Sequence, residues 1–364
     1  MSSHRFASAF AVAGDWERAL DQALRQLPRL QLADANLGFV YFSDQFSGAI
    51  NNILARLRRA TGVQDWVGSS TVGVLADRGA ALDAPGISLM LCSFPAGSFR
   101  VFSGRKPLPR DFGAYGAVVH ADPHTPDMSD LVQDMASKIR ADGLSGGLAS
   151  ARGTAWQVAG DALTGGLSGA AFDKQVRLIT GVSQGCEPLP NSWRITRARD
   201  NQIEAINGRP ALEVFREAIG SSLGTDLRRA VRHVSVGLTD TAEDRRLFAV
   251  RRIVGVDVQT GRLAINDNIA PGQHMLFVRQ DERSARDDLA NMLNELQDAC
   301  PGQPRGAIYV SCLGRGGALF ERDETEIEMI ADVFGDMPLA GFFAAGEIVG
   351  SRLFGFTGAL TLFM

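Results

Sequence analysis

The sequence predicts an α/β or α+β fold, in which repeated strand–helix–strand units form mixed β-sheets covered by helices, in two packed halves. Three observations carry this. An apolar strand-like run, a helix-like run and a second apolar run recur at 39–73, 117–165 and 307–346. Each copy closes on glycine, four residues and glycine: Gly68 to Gly73, Gly160 to Gly165 and Gly341 to Gly346. Further β-rich runs separate the copies, so the sheets are expected to be mixed rather than purely parallel.

Residues 1–35 form a helical preface, with Trp16, Leu20, Leu24 and Leu27 at helical spacing and Pro28 as the stop. The first repeat follows. Ile87–Phe94 and Phe99–Phe102, separated by Pro-Ala-Gly-Ser, read as a hairpin. Between Asp142 and Gly169 glycine is dense and apolar residues are sparse, which predicts a flexible surface loop. Strands are expected at 175–180, 192–196 and 202–206, with an Asn207-Gly208 turn and a helix starting at Pro210. A strand-rich stretch from about Arg232 to Val278 and a helix over 285–299 lead into the third repeat. The expected modules are 36–225 and 226–364.

With 364 residues, 45% hydrophobic and 21% charged, the chain buries ordinary cores without staples. A net charge of -4 with only short arginine clusters gives no support to phosphate-backbone binding, so no nucleic-acid partner is expected. The four cysteines, Cys92, Cys186, Cys300 and Cys312, form no CxxC pair, which fits a reducing cytoplasm. No secretion signal or membrane-length apolar run is read, so no membrane association is expected.

None of the Gly-x4-Gly copies is followed by Lys and Ser or Thr, which sets aside a phosphate-binding loop and leaves glycines that permit close backbone approach. The third repeat carries the richest chemistry: its first strand ends in Ser311-Cys312-Leu-Gly-Arg315 and its last in Gly346-Glu347. Ligands sit beyond strand ends in sheets of this kind. A guanidinium fork suits a carboxylate and an acidic side chain suits an ammonium, so Arg315 and Glu347 read as the two ends of an amino-acid site, or as a pair holding two loops together. Ser43, Ser70 and Thr71 offer neutral hydrogen bonds at matching positions; Asp44 and Asp127 read as N-caps. His120, Asp122, His124 and Asp127 have metal-ligand residue types, but Pro123 and Pro126 exclude a helix, so a surface loop is expected. Cys312 reads as a buried thiol, and no metal site is expected.

At Val67-Gly-Ser-Ser-Thr-Val-Gly73, Ser311-Cys-Leu-Gly-Arg315, Pro338-Leu-Ala-Gly-Phe-Phe-Ala-Ala-Gly-Glu-Ile348, Thr180–Pro188 and Asn207–Leu212 the chain resembles the FIST family of bacterial sensory domains. The resemblance implies a FIST N module paired with a FIST C module and a cytoplasmic, non-enzymatic sensor of an amino acid or another small carboxylate. It places Cys312, Arg315, Gly346 and Glu347 in the C-terminal motifs and Ser70, Thr71 and Gly73 in the N-terminal one. Ala344 and Ala345 stand where a hydroxyl and an aromatic are common, and Leu353-Phe-Gly-Phe356 stands where a His-Asn pair is often seen. The output is expected to pass through a separate signalling protein such as a histidine kinase or a cyclase. The alternative the family implies is a haem-based nitric oxide sensor, with His233 as the ligand to test. An enzyme using Cys312, or Arg315 with Glu347, is the third reading.

Overall fold

The computed structural model describes residues 6–28, 34–77, 79–140, 143–224, 226–239, 241 and 248–364. They fall into two compact units, Met1–Ser183 with Ala290–Met364, and Gln184–Leu289. The module boundary expected at Thr225 lies outside the described residues.

The first unit begins with β1 (Phe6–Val12) and α1 (Trp16–Gln26), whose N-cap Asp15 accepts from the Arg18 amide at 2.8 Å. Next come β2 (Leu37–Ser43), α2 (Ile50–Thr61) and β3 (Asp65–Thr71), with β2 and β3 parallel, as a right-handed crossover helix allows. A hairpin, β4 (Gly73–Ala76) and β5 (Gly79–Leu82), leaves this sheet, and β6 (Gly86–Cys92) returns to it antiparallel between β1 and β2. The second repeat has the same strand order, with no helix between its first two strands among the described residues: β7 (Phe99–Phe102), β8 (Gly116–Ala121), α3 (Met128–Ser137), β9 (Leu144–Leu148), a hairpin of β10 (Trp156–Ala159) and β11 (Asp161–Thr164), and β12 (Leu167–Phe172). β13 (Leu178–Ser183) opens the third.

The chain then builds the second unit. β14 (Glu187–Arg199), β15 (Gln202–Ile206) and the short β16 (Arg209–Pro210) precede α4 (Ala211–Gly224) and α5 (Leu227–His233). β17 (Val234–Thr239), β18 (Ala249–Asp257), β19 (Arg262–Ile265), β20 (His274–Arg279) and the start of α6 (Glu282–Ala299) complete it, and from Ala290 the helix belongs to the first unit. The strand order β14-β20-β17-β18-β19-β15 closes because β15 also pairs with β14, which makes an antiparallel barrel without free edges. Ile195, Ile203, Val236, Ile253, Leu263 and Phe277 belong to its core.

Back in the first unit, β21 (Gly306–Cys312), α7 (Gly316–Leu319), α8 (Thr325–Phe334), β22 (Leu339–Ala344), the hairpin β23 (Gly346–Val349) and β24 (Arg352–Phe354), and β25 (Gly358–Phe363) finish the third repeat. Each repeat gives its hairpin to a neighbour's sheet. The β4 hairpin extends β22, the β10 hairpin extends β3 and the β23 hairpin extends β9, giving three six-stranded sheets in cyclic exchange. Leu37, Phe39 and Tyr41 of β2 share a core with Val118, Val310 and Phe342 of the other repeats, whereas Val40 and Phe42 face the core beneath α1 and α2. Burial on both faces explains why these strands read as unbroken apolar runs.

The glycines mark the repeat differently from the sequence expectation. Gly68, Gly146 and Gly341 lie opposite Val40, Val119 and Tyr309 in the parallel pairs, and a Cβ on each would stand 1.7, 1.9 and 1.9 Å from that partner's carbonyl oxygen. The second copy therefore closes at Gly146, and 117–165 is not one strand–helix–strand unit; Gly160 and Gly165 belong to the β10–β11 hairpin. The glycine-dense stretch 142–169 is likewise no surface loop. It holds β9 to β12, with Gly146, Gly147 and Gly169 small because other backbone or side chains press against them. The expected hairpin of 87–94 with 99–102 also fails: β6 is already flanked by β1 and β2, so β7 pairs with β12.

Candidate functional site

Two strand ends of the first unit hold the residues singled out above. In the third repeat, Arg315 follows β21 and is fully buried. Its carboxylate partner is Glu326 of α8, at 2.8 Å from Nε to Oε1, and not Glu347. Its other nitrogens donate to the Ser183 carbonyl at 3.1 Å, the Phe356 carbonyl at 3.2 Å and Ser183 Oγ at 3.0 Å. Glu326 also accepts from Tyr309 Oη at 2.6 Å and Ser311 Oγ at 2.5 Å. The fork is thus engaged on both edges, in a network that fixes β13, β21 and α8 to one another. Glu326 was missed in the sequence, although a Glu beside Thr325 and Ile327 in the first turn of a helix with core-facing residues is a usable signal for a buried partner.

Glu347 is also fully buried, at the start of β23. Its Oε2 accepts from the Thr357 amide at 3.1 Å and Thr357 Oγ1 at 2.5 Å, while Oε1 has no hydrogen bond of ordinary geometry among the described residues. Burial pushes its carboxyl well above the usual range, against the opposing pull of the Thr357 bonds, the Arg315 charge and the neighbouring Cys312 thiol. Burial, reinforced by Glu347, pushes Cys312 up as well, so the thiolate needed of a nucleophile is disfavoured. Arg315, Glu347, Cys312 and Ser311 therefore come together, but in a dry interior.

At the matching end of the first repeat the chain leaves a cleft of about 360 Å³ open to solvent, lined among others by Asp44, Ser47, Ile50, Asn51, Thr154 and Trp156. Ser43 caps the 3-10 turn 44–49 through a 3.4 Å bond from the Gln45 amide, so the cap is Ser43 rather than Asp44. Asp127 stands at the N-cap of α3, as expected, but with φ 52 its side chain makes no capping bond. Asp44 instead accepts three bonds from Arg152: Nη2 at 2.8 Å, Nε at 2.8 Å and the amide at 3.0 Å. Those bonds hold its carboxyl below the usual range. Arg152 reaches Asp83 at 2.6 Å with its remaining nitrogen. Ser47 Oγ is buried and unpartnered among the described residues.

Ser70 builds the cleft's aromatic wall, because its Oγ accepts from the Trp156 amide at 3.0 Å and thereby seats the start of β10. Thr71 lies deeper: its Oγ1 is 2.7 Å from the Phe343 carbonyl and 2.8 Å from Ser150 Oγ, clamping the first repeat to β22. The structure thus splits the expected set, with Ser43 and Ser70 beside the cleft and Arg315, Glu347, Cys312 and Ser311 in the interior. Arg152, Asn51 and Trp156 were missed because their relevance depends on the β10 hairpin being lent by another repeat.

In the second repeat the expected surface loop begins only at Asp122. His120 is fully buried in β8, with Nε2 3.0 Å from Tyr41 Oη, and burial lowers its pKa to about 3. Asp122 accepts from the His124 amide at 2.9 Å and the Gly165 amide at 3.1 Å, so its carboxylate orders a turn. No group of three or more potential metal ligands occurs among the described residues. For haem, an axial histidine must face a slot wide enough for the macrocycle. His233 is exposed at the end of α5, His120 is sealed between packed rings, and among the described residues no histidine lines the cleft, so these residues do not fit the group.

Residues 36–209 match the FIST N domain and residues 211–350 the FIST C domain. An uncharacterized protein of Mycobacterium bovis is 33% identical over 213 residues, 56% of this chain and 55% of its own length. An uncharacterized protein of Mycobacterium tuberculosis is 32% identical over 215 residues, with the same shares covered. The chain spans about half the length of these curated relatives.

Proposed function

The chain belongs to the FIST family of small-ligand sensory, non-enzymatic domains, and on that premise we propose that it binds a small polar molecule in the cleft beside Asp44 and hands its state to a separate signalling protein, a histidine kinase or a cyclase. The observation that carries this reading is the cleft itself. It lies at the carboxyl ends of the parallel pair β2 and β3, where open sheets gather ligand-binding groups. Its volume of about 360 Å³ suits a molecule of amino-acid size, with Trp156 and Ile50 as apolar wall and hydroxyl, amide and carboxylate groups for orientation. Among the described residues no helix is long and apolar enough to cross a membrane.

In this reading Arg315 and Glu326 hold the third repeat rigid and do not touch the ligand; Glu347, Cys312 and Ser311 complete that interior, Thr71 clamps it, and Ser43 and Ser70 shape the cleft. The test is a thermal-shift screen of amino acids, small amines and small carboxylates, with each hit repeated by calorimetry on Asn51→Trp. Asn51 is exposed on α2, so the indole would fill the cleft without disturbing the core. Loss of binding with an unchanged melting point supports the reading. Hits that bind Asn51→Trp as tightly as the native chain overturn it.

A further inference from the structure

We infer that the cleft selects a small ammonium-bearing ligand over a carboxylate, an inference that rests on the cleft being the binding site. The argument begins with charge. Asp44, Arg152 and Asp83 form one connected triad at the rim, with Arg152 held between the two carboxylates. One positive and two negative charges leave the triad net negative, and the guanidinium edges that would grip an incoming anion already face Asp44 and Asp83.

A carboxylate entering here would meet the net negative field with its cation already taken. An ammonium meets the opposite situation. Asp44 is a carboxylate held ionised by three bonds from Arg152, with the Gln45 amide also against it, and it adds its negative charge to the wall of the cleft. Trp156 lines the same cleft, and an indole attracts a cation more than an anion. The charge at the rim and the Trp156 ring thus both favour a cation over an anion.

The probes are ethanolamine and putrescine, with acetate, succinate and ethylene glycol as size-matched controls, measured by calorimetry at low and high salt. The expected result is amine binding at least tenfold tighter than acetate or ethylene glycol, weakening as salt rises. Asp83→Asn neutralises the triad from outside the cleft, at an exposed residue whose φ of 56 suits asparagine. It should weaken ethanolamine about threefold, a modest rim-charge effect. Asp44→Asn should remove the amine preference altogether. Acetate binding that Asn51→Trp abolishes would keep the cleft as a site and overturn the ammonium assignment. Amine binding unaffected by Asn51→Trp would overturn the cleft, and no binding of any probe would overturn the inference.

Discussion

Replacing Arg315 by methionine should unfold the protein far more readily, and the size of the loss follows from the network around it. Arg315 and Glu326 are 0% and 1% exposed. Their pairing offsets the large desolvation cost of two interior charges. Methionine fills most of the volume but leaves Glu326 with only the Tyr309 and Ser311 hydroxyls, and strips a donor from the Ser183 and Phe356 carbonyls. Breaking one side of a buried pair costs about 3–5 kcal/mol. For a unit of this size that is a fall in Tm of roughly 6–20 °C. Calorimetric or circular-dichroism melts of Arg315→Met read it directly. The double variant Arg315→Met with Glu326→Gln should recover part of the loss, because a neutral amide still accepts from both hydroxyls and no charge is stranded. A loss under about 1 kcal/mol, or a double variant worse than the sum of its parts, would refute the reasoning.

Three further outcomes are expected. Gly68→Ala, Gly146→Ala and Gly341→Ala should each destabilise by about 3 kcal/mol or more, since each Cβ would stand under 2.0 Å from a carbonyl oxygen of the paired strand; denaturant melts check this, and a neutral effect at Gly146 would deny its equivalence. Glu347, raised by burial above its ordinary value of 4.5, binds its proton more tightly folded than unfolded, so its contribution to stability declines as pH rises above 4.5; in Glu347→Gln, which keeps an acceptor for Thr357, that decline should vanish. His120 has the opposite sign. Held neutral by burial with its pKa lowered from 6.5 to about 3, it makes the native chain lose about 1.4 kcal/mol per pH unit as pH falls below 6.5, a slope that His120→Gln should remove.

The sequence made the repeat visible because β2, β8 and β21 are buried on both faces and so carry continuous apolar runs. It made Arg315, Glu347 and Cys312 conspicuous because they fall at two strand ends of one repeat. What it hid was long-range pairing. β10 finds β3 across about 90 residues and β23 finds β9 across about 200, and nothing local in Trp156–Ala159 or Gly346–Val349 names the partner. The same blindness turned glycines that relieve backbone contact at β9 and β12 into an apparent loop. It also left Arg315 without Glu326, its partner from the following helix, and left Asp44 without Arg152, which lies 108 residues away.

The most direct test of ligand binding in the strand-end cleft is an NMR titration with ethanolamine that follows the indole Nε1–H signals of the four tryptophans, with Trp156→Phe assigning one of them. Trp66 Nε1 is tied to the Val63 carbonyl in the interior, and neither Trp16 nor Trp193 lines the cleft. The account predicts a saturable shift of the Trp156 signal while the other three stay in place. Saturable binding that leaves Trp156 unmoved would contradict it.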